Sequence, residues 1–244
     1  MKQSARIALL ACGLIALTGT GSTIEAAHQA TPVVDPSQFS TEVTNPFFPL
    51  PVGALRIYVG EEIDPETGET HEFRVEEFVL SESYAVMGVP VVVLQVTEYE
   101  DGDLLEITRD YHAQHEDGSV WYFGEHVDNY EDGEIVNHDG TWIAGEGENK
   151  PSVFVPADPQ VFDTILQEQA PGLAEDISTV VETGVTVTVA AGEFTGCIKT
   201  VDVNPLEAAS EFKTYCPGPG LVREENADGV TELISIEMEG TPTA

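Results

Sequence analysis

Apolar and polar residues alternate along most of the chain. Val92, Leu94 and Val96, for example, stand at every second position, which is the period of a strand with two different faces. Asp-Gly steps interrupt this alternation, and Asp-Gly favours a two-residue hairpin turn because both turn residues adopt positive φ. The pattern therefore predicts consecutive antiparallel strands joined by tight turns. The steps are Asp101-Gly102, Asp117-Gly118, Asp132-Gly133, Asp139-Gly140 and Asp228-Gly229.

The predicted elements define a mainly β fold. The expected strands are 55–61, 71–80, 89–100, 103–116, 119–131, 134–143, 184–190, 194–203, 210–217, 220–226 and 230–238. Only the region 158–181 has a helical pattern, with Asp158 as an N-cap and Pro159 in the first turn. An apolar stripe follows at Val161, Phe162, Ile165 and Leu166.

We therefore expect a large antiparallel meander that forms a curved sheet, a sandwich or a half-barrel, with one or two short helices near 158–181. Two strands at 173–181 fit almost as well as a second helix. No repeat or break in composition marks a second domain, and all-β domains of this length are common. The expected single β-rich domain spans 45–239.

The ends of the chain have a different character. Lys2 and Arg6 precede a short apolar stretch and a run of small residues, which is typical of a secretory signal peptide at 1–27. We expect a flexible leader at 28–44 and a tail at 240–244. The protein is thus predicted to be exported, to an extracellular or periplasmic location, with no transmembrane segment. A bacterial lipoprotein anchored at Cys12 is the alternative, because Leu9 to Cys12 match a lipoprotein cleavage pattern.

The charge balance limits the classes of partner. The sequence has 44 acidic and 9 basic residues. Such a surface repels nucleic acid, whose binding depends on Lys and Arg, and disfavours anionic membranes. The acidity suits a solvated surface at high or variable salt, but carboxylate clusters that bind cations and a cationic partner are alternatives. Gly-rich phosphate loops, nucleophile elbows and paired Cys-x-x-Cys motifs are absent from the sequence, which favours a non-catalytic protein over an enzyme.

Cys197 and Cys216 are the two cysteines outside the predicted signal peptide. The strands around them flank a turn that begins at Asn204, and folding the hairpin about this turn places residue 197 opposite residue 216. Opposed Cβ atoms of an antiparallel pair lie within disulfide range. We therefore predict a disulfide between them.

Four segments carry a resemblance to a family. They are TRDYHAQHEDGSVWYFGE at 108–125, NPFFPL at 45–50, QAPG at 169–172 and CPGPGLV at 216–222. Together they resemble motifs of an uncharacterised group of exported bacterial β-rich proteins, over most of the mature chain. The resemblance implies no activity, and His112 and His115 depart from the pattern. A looser, fold-level similarity is to lipoprotein-carrier proteins, in which a curved sheet wraps a lipid.

Counting across the predicted turns assigns residues to the two faces of the meander. Val92, Leu94 and Tyr111 fall on the face expected to be core. The opposite face mixes aromatic and polar side chains, as ligand pockets do, and His112 is expected opposite Phe123. The candidate ligand-binding residues are Asp110, His112, Gln114, Trp121, Phe123, Glu125 and Trp142. An ordinary solvent face covered by other segments is the alternative.

Three functions are compatible with the sequence. The leading hypothesis is a non-catalytic binding protein that holds a small or lipid-like ligand on the mixed face. The second is a metal-dependent hydrolase in which a divalent cation, such as calcium, manganese or zinc, is bound by Asp110, His112, Glu125 and His138. The third is an acidic structural or adhesive domain of the envelope. The sequence predicts no other cofactor and leaves the oligomeric state open.

The net charge generates a first prediction. Because carboxylates outnumber basic groups several-fold, screening by salt should relieve repulsion within the folded chain. We expect the melting temperature to rise between dilute buffer and about 0.5 M NaCl, as measured by differential scanning calorimetry. An unchanged or lower melting temperature would contradict this expectation.

Overall fold

The protein folds as strands joined by turns and loops. The computed structural model describes residues 34–65, 67–82, 84–206 and 210–238. The predicted signal peptide and C-terminal tail lie outside the described residues. A 3-10 turn at Pro36–Gln38 precedes the strands β1 (Phe39–Ser40), β2 (Ala54–Ile63), β3 (Thr70–Val79), β4 (Tyr84–Val86), β5 (Val89–Glu100), β6 (Asp103–His115), β7 (Val120–Glu131), β8 (Glu134–Asn137), β9 (Trp142–Ile143), β10 (Ser152–Val155), β11 (Thr164–Leu166), β12 (Ile177–Val189), β13 (Gly192–Val203), β14 (Ser210–Cys216), β15 (Gly220–Glu225) and β16 (Gly229–Met238).

Most of the predicted strands are confirmed. β5 has the expected bounds, and β6, β7 and β13 to β16 begin and end within two residues of them. Asp101-Gly102 and Asp132-Gly133 both have positive φ at each residue, as the predicted hairpin turns require. The expected strand 134–143 is divided into β8 and β9, and the strand expected at 184–190 begins earlier, at Ile177.

All of these strands belong to one antiparallel sheet, whose end strands β10 and β11 do not pair as neighbours in the strand order. The predicted mainly β fold is confirmed, and the sheet is consistent with the expected curved sheet or half-barrel. The path through the sheet is β10-β7-β6-β5-β3-β2-β16-β15-β14-β13-β12-β11, and β1, β4, β8 and β9 pair beside it. In the part of the chain that the structure describes, no helix is long and apolar enough to cross a membrane.

The sheet curves until its two ends meet. β10 and β11 would lie roughly 50 Å apart if the strands of the path were laid flat at their usual spacing. Instead, Gln167 Nε2, just after β11, donates a hydrogen bond of 2.9 Å to the carbonyl of Phe154 in β10. Ser152 Oγ donates to the carbonyl of Gln167. The curvature therefore gives the sheet an inner and an outer face.

The helices expected near 158–181 are not present, and this prediction was wrong. β11 and the first part of β12 occupy the region and pair with each other, with Ile165 opposite Ser178. The apolar stripe proposed for the first helix is not buried, since Val161 is 38% and Phe162 82% exposed. Phe162 has φ 77°, a left-handed conformation that cannot continue a right-handed helix.

Part of the expected flexible leader belongs to the fold. β1 pairs with β6, with Phe39 opposite His115, and Val43 is buried in a core with Phe48 and Leu50. That core also contains Leu94 from β5, together with residues of β12 to β14. The segment 39–50 therefore fills one end of the curved sheet with apolar side chains.

The Cys197–Cys216 disulfide is present, with the Cα atoms 4.1 Å apart. It continues the ladder of β13 and β14, in which Ile198 lies opposite Tyr215. Beyond the disulfide the tip of the β12–β13 hairpin packs on the sheet, and Ala191 N donates to Leu233 O at 3.2 Å. The disulfide therefore lies at the base of this hairpin tip. The predicted pairing of Cys197 with Cys216 is confirmed.

Removal of the disulfide generates a second prediction. The bridged residues are 19 apart in sequence, and closing a loop of this size stabilises by about 3 kcal/mol on the chain-entropy account. The double variant Cys197→Ala, Cys216→Ala should lose about that much free energy of unfolding in urea. Thiol titration of the unreduced, denatured wild type should find no free thiol at these positions, and two free thiols would contradict the bridge.

Candidate functional site

Two β-bulges decide which side chains share a face. One lies between Glu98 and Tyr99, where β5 pairs with β6, and the other lies in the β6–β7 pair between Asp110 and His112. At the second bulge Gly124 has φ 115°, and a Cβ there would lie 2.3 Å from the carbonyl oxygen of Trp142, so the close approach requires glycine.

These bulges overturn the predicted division into faces. Leu94 lies opposite Asp110 and Val92 opposite His112, so these two apolar residues share a face with the predicted site and not with the face expected to be core. The residue opposite His112 is Tyr122 and not Phe123. A one-residue slip exchanges the faces of every following residue, so Trp121 and Phe123 lie on the side away from Asp110.

Asp110 and Glu125 form the part of the predicted site that the structure brings together. They stand directly opposite each other, as predicted. Tyr122 Oη donates a hydrogen bond of 2.7 Å to Asp110, and Trp142 Nε1 donates one of 3.1 Å to Glu125. The hydrogen-bond donor to each of these two carboxyl groups is therefore a neutral side chain.

The remaining candidate residues have structural contacts. Gln114 Oε1 accepts hydrogen bonds from the backbone N–H groups of Thr44 and Asn45, and so fastens the N-terminal segment to β6. Phe123 is fully buried, and Trp121 packs with it against Phe39. These aromatic side chains form core and do not line an open ligand pocket.

The predicted metal site is not assembled. His112 is 1% exposed and is surrounded by Phe48, Tyr122 and Phe154, with ring centroids 4.7 to 5.0 Å from its own. The His138 ring is largely exposed and lies 2.9 Å from Asp128. Among the described residues, no group of three or more His, Cys, Asp or Glu side chains could hold a metal ion. The four residues are not brought together, because aromatic packing holds His112 inside the core.

Additional carboxyl groups extend the site along the inner face. The strand register places them on the same face as Asp110, and Glu168, which follows β11, is close enough to raise the pKa of Glu125. The members from the strands are Glu62, Glu77, Glu98, Glu106, Asp110, Glu125, Asp202, Glu211 and Glu224. We call these residues and Glu168 the inner carboxyl row.

Two basic side chains accompany this row within the described strands. Arg56 is held by Glu77 at 3.6 Å and by the carbonyls of Pro49 and Pro219. Lys213 Nζ lies 2.7 Å from Glu211, 3.7 Å from Glu224 and 3.9 Å from Asp202. Ten carboxyl groups thus share two cations, so the negative charge of the inner face is only partly neutralised.

Most members of the inner carboxyl row have raised pKa values, but the pKa of Glu211 is lowered, because burial is outweighed by the charge of Lys213 and by hydrogen bonds to Glu224 and Lys213. Burial raises the pKa of Asp110 to about 7, against the opposing effects of the Tyr122 hydrogen bond and Lys213. Burial and the neighbouring acid Asp176 raise the pKa of Glu168 to about 8. The pKa of Glu224 is also raised to about 8 by burial, despite the attraction of Lys213. Burial also raises the pKa values of Glu98 and Glu125 well above the usual range.

These side chains nevertheless keep contact with water. The side chains of Lys213, Glu211 and Glu224 are 23%, 26% and 34% exposed. Lys213 in β14 lies six strands from Asp110, roughly 29 Å along a flat sheet, yet it affects the pKa of Asp110. The inner carboxyl row therefore lines a concave interior to which water has access.

Sequence reasoning missed Glu98, Glu168, Lys213 and Glu224. Glu98 lies two positions before Glu100 in the alternating pattern, a signal that a charged face was present. Lys213 and Glu224 are directly opposed in the β14–β15 pair. Their proximity to Asp110 depends on the curvature of the sheet, which no local pattern contains.

Comparisons with known proteins show no family. No family model matches the chain, and no curated protein matches it. Two solved structures are similar, a "putative lipoprotein" from Parabacteroides distasonis and a "putative exported protein with YmcC-like fold" from Bacteroides fragilis. Their sequences are 15% and 17% identical to this chain, and each superposes with a TM-score of 0.41. Each match covers 78% of this chain and 98% of the other protein's chain.

The raised pKa values generate a third prediction. Glu168 and Glu224 hold protons more tightly in the folded chain than in the unfolded chain, so the folded state binds more protons between pH 4 and 8. The free energy of unfolding should therefore fall as pH rises through this range. The depressed pKa of His112, about 3 because of burial, has the opposite effect but only below about pH 7.

The measurement is urea unfolding between about pH 7 and about pH 9, a range in which His112 is neutral in both the folded and the unfolded chain and no longer changes the stability. The wild type should lose stability across this range, and Glu168→Gln should lose less. Glu134→Gln, which changes an exposed carboxyl on β8, is the matched control and should follow the wild type. Equal slopes in all three proteins would show that Glu168 ionises normally.

Proposed function

We propose that this protein is an exported, non-catalytic binding protein that holds a small ligand with cationic groups against its inner face. The observation that carries the proposal is the inner carboxyl row, in which ten acidic side chains share Arg56 and Lys213. Apolar residues in these positions would give a more stable interior, because partly buried carboxyls with too few cationic partners are costly. A ligand that supplies positive charge would offset this cost.

The chemistry of the row favours an amine over an anion. Lys213 shows how the site accommodates an ammonium group, with carboxyl oxygens of three strands around one nitrogen. A ligand ammonium among Asp110, Glu125 and Glu168 would make the same charge-assisted hydrogen bonds. The basic side chains of the inner face are already paired, so a fatty acid or phosphate headgroup would find little compensation there.

A purely apolar ligand is disfavoured because the aromatic residues of the inner face pack against one another. Phe48 and Phe154 fill the space beside His112, and Trp142 is 2% exposed. The apolar end of the inner face is thus occupied by the protein's own side chains, and its polar part remains accessible. We therefore narrow the expected ligand from a small or lipid-like molecule to a small polar cation.

A fourth prediction tests this function by calorimetric titration with spermidine. Binding should be seen at low salt and should strengthen as pH rises from about 6 to about 8.5, because a cation binds the ionised carboxylates better than their protonated forms. Citrate, which is anionic, and glycerol, which is neutral, should not bind.

Matched variants localise the binding. Glu224→Gln and Glu168→Gln should each weaken spermidine binding about tenfold, the usual effect of one charge-assisted hydrogen bond. Glu134→Gln removes the same charge from the outside and should leave binding unchanged. If all three variants bind equally, spermidine is held by the general negative charge of the protein, and the proposed inner site is wrong.

A further inference from the structure

An apolar surface lies on the outer face of the strands β11 to β14. Leu166, Ile177 and Val203 stand side by side across β11, β12 and β13. Phe212 of β14 lies in the next row, opposite Val201. Leu166 is 50%, Val203 39% and Phe212 42% exposed. Because these residues are neighbours in the ladder, they form one continuous apolar surface.

Phe162 lies in the turn that precedes β11, at the edge of the sheet beside this surface. Its ring is 82% exposed, and its φ of 77° is rarely adopted by a bulky residue. Two backbone hydrogen bonds hold the conformation, from Phe162 N to Val180 O at 2.8 Å and from Val180 N to Asp163 O at 2.9 Å. Strained residues of this kind persist where the surrounding structure fixes them, and they concentrate at functional positions.

The charges around this surface are mainly negative. Asp158 and Asp163 stand in the same turn as Phe162, and Glu182 follows Val181 on β12. The basic residues of β11 to β14 are Lys199 and Lys213, and Lys213 faces the interior. Lys199 lies over the Phe212 ring and is paired with Glu225 at 3.0 Å. The surface therefore presents apolar side chains with acidic neighbours.

We propose that Phe162 and the apolar outer face of β11 to β14 form the docking surface for a basic partner protein, with Phe162 as its aromatic anchor. Exposed apolar surface with polar surroundings is typical of protein interaction sites, and large aromatic side chains commonly dominate their binding energy. A partner with Lys and Arg around an apolar patch complements this surface. This surface is separate from the inner carboxyl row.

Charge also distinguishes this partner from other occupants. A second copy of the chain would bring a formal net charge of −35 against the same charge, which opposes association at low salt. An anionic membrane would be repelled for the same reason. A basic protein surface gains from both the apolar contact and the charge.

A fifth prediction tests the anchor with a synthetic amphipathic peptide of leucine and lysine as the probe. We expect fluorescence anisotropy to show binding to the wild type, and Phe162→Gly to weaken it about tenfold, as loss of an anchoring aromatic does. Glycine adopts positive φ readily, so this variant should melt at or above the wild-type temperature. Val136→Ser removes an exposed apolar side chain from β8, away from this surface, and should bind as the wild type does.

Hydrogen exchange locates the contact. The peptide should protect the amides of β11 and the first half of β12 in the wild type, and not in Phe162→Gly. Equal affinity of all three proteins would overturn the proposal. So would binding of phosphatidylcholine vesicles that depends on Phe162 without peptide binding, or a concentration-dependent dimer that Phe162→Gly abolishes.

Discussion

The ammonium group of Lys213 lies among carboxyl groups from three adjacent strands, β13, β14 and β15. Asp110 lies on β6, six strands away along the sheet, and the curvature of the sheet brings it close enough for the charge of Lys213 to lower its pKa. Lys213, Arg56 and protonation together limit the repulsion among the carboxyl groups of this interior. The charge on this face depends on pH for the same reason, since the protons on Glu168 and Glu224 leave near neutrality.

Apolar packing at one end of the sheet stabilises this arrangement. The segment that contains Phe48 and Leu50 enters the curved sheet and contacts residues from both of its halves. The hairpin tip beyond Cys197 and Cys216 covers Val222 and Leu233 nearby. These clusters compensate for the costly carboxyls and leave the polar part of the inner face open to water. The apolar clusters and the proposed binding region thus occupy different parts of the inner face.

The proposed inner and outer surfaces share one physical basis in the acidity of the chain. On the inner face, carboxyl groups are concentrated and partly protonated, which suits a small cation. On the outer face, acidic residues such as Asp163 and Glu182 accompany exposed apolar side chains, which suits a larger basic partner. Both proposals predict that binding weakens with salt, but only the inner site should depend strongly on pH, because the raised pKa values belong to the interior.

The sequence by itself determined the β class, the bounds of strands such as β5, the turn at Asp101-Gly102, the Cys197–Cys216 pairing and the Asp110–Glu125 pair. Each of these features is decided by residues close together in the sequence or paired within a single hairpin. Only the tertiary structure decided the rest. The bulge at Gly124 moved Phe123 to the opposite face, because the local backbone approaches Trp142. Pairing of β11 with β12 replaced the expected helix, and curvature of the whole sheet joined Lys213 to Asp110. Such effects arise from contacts between distant strands, which periodicity in the sequence does not record.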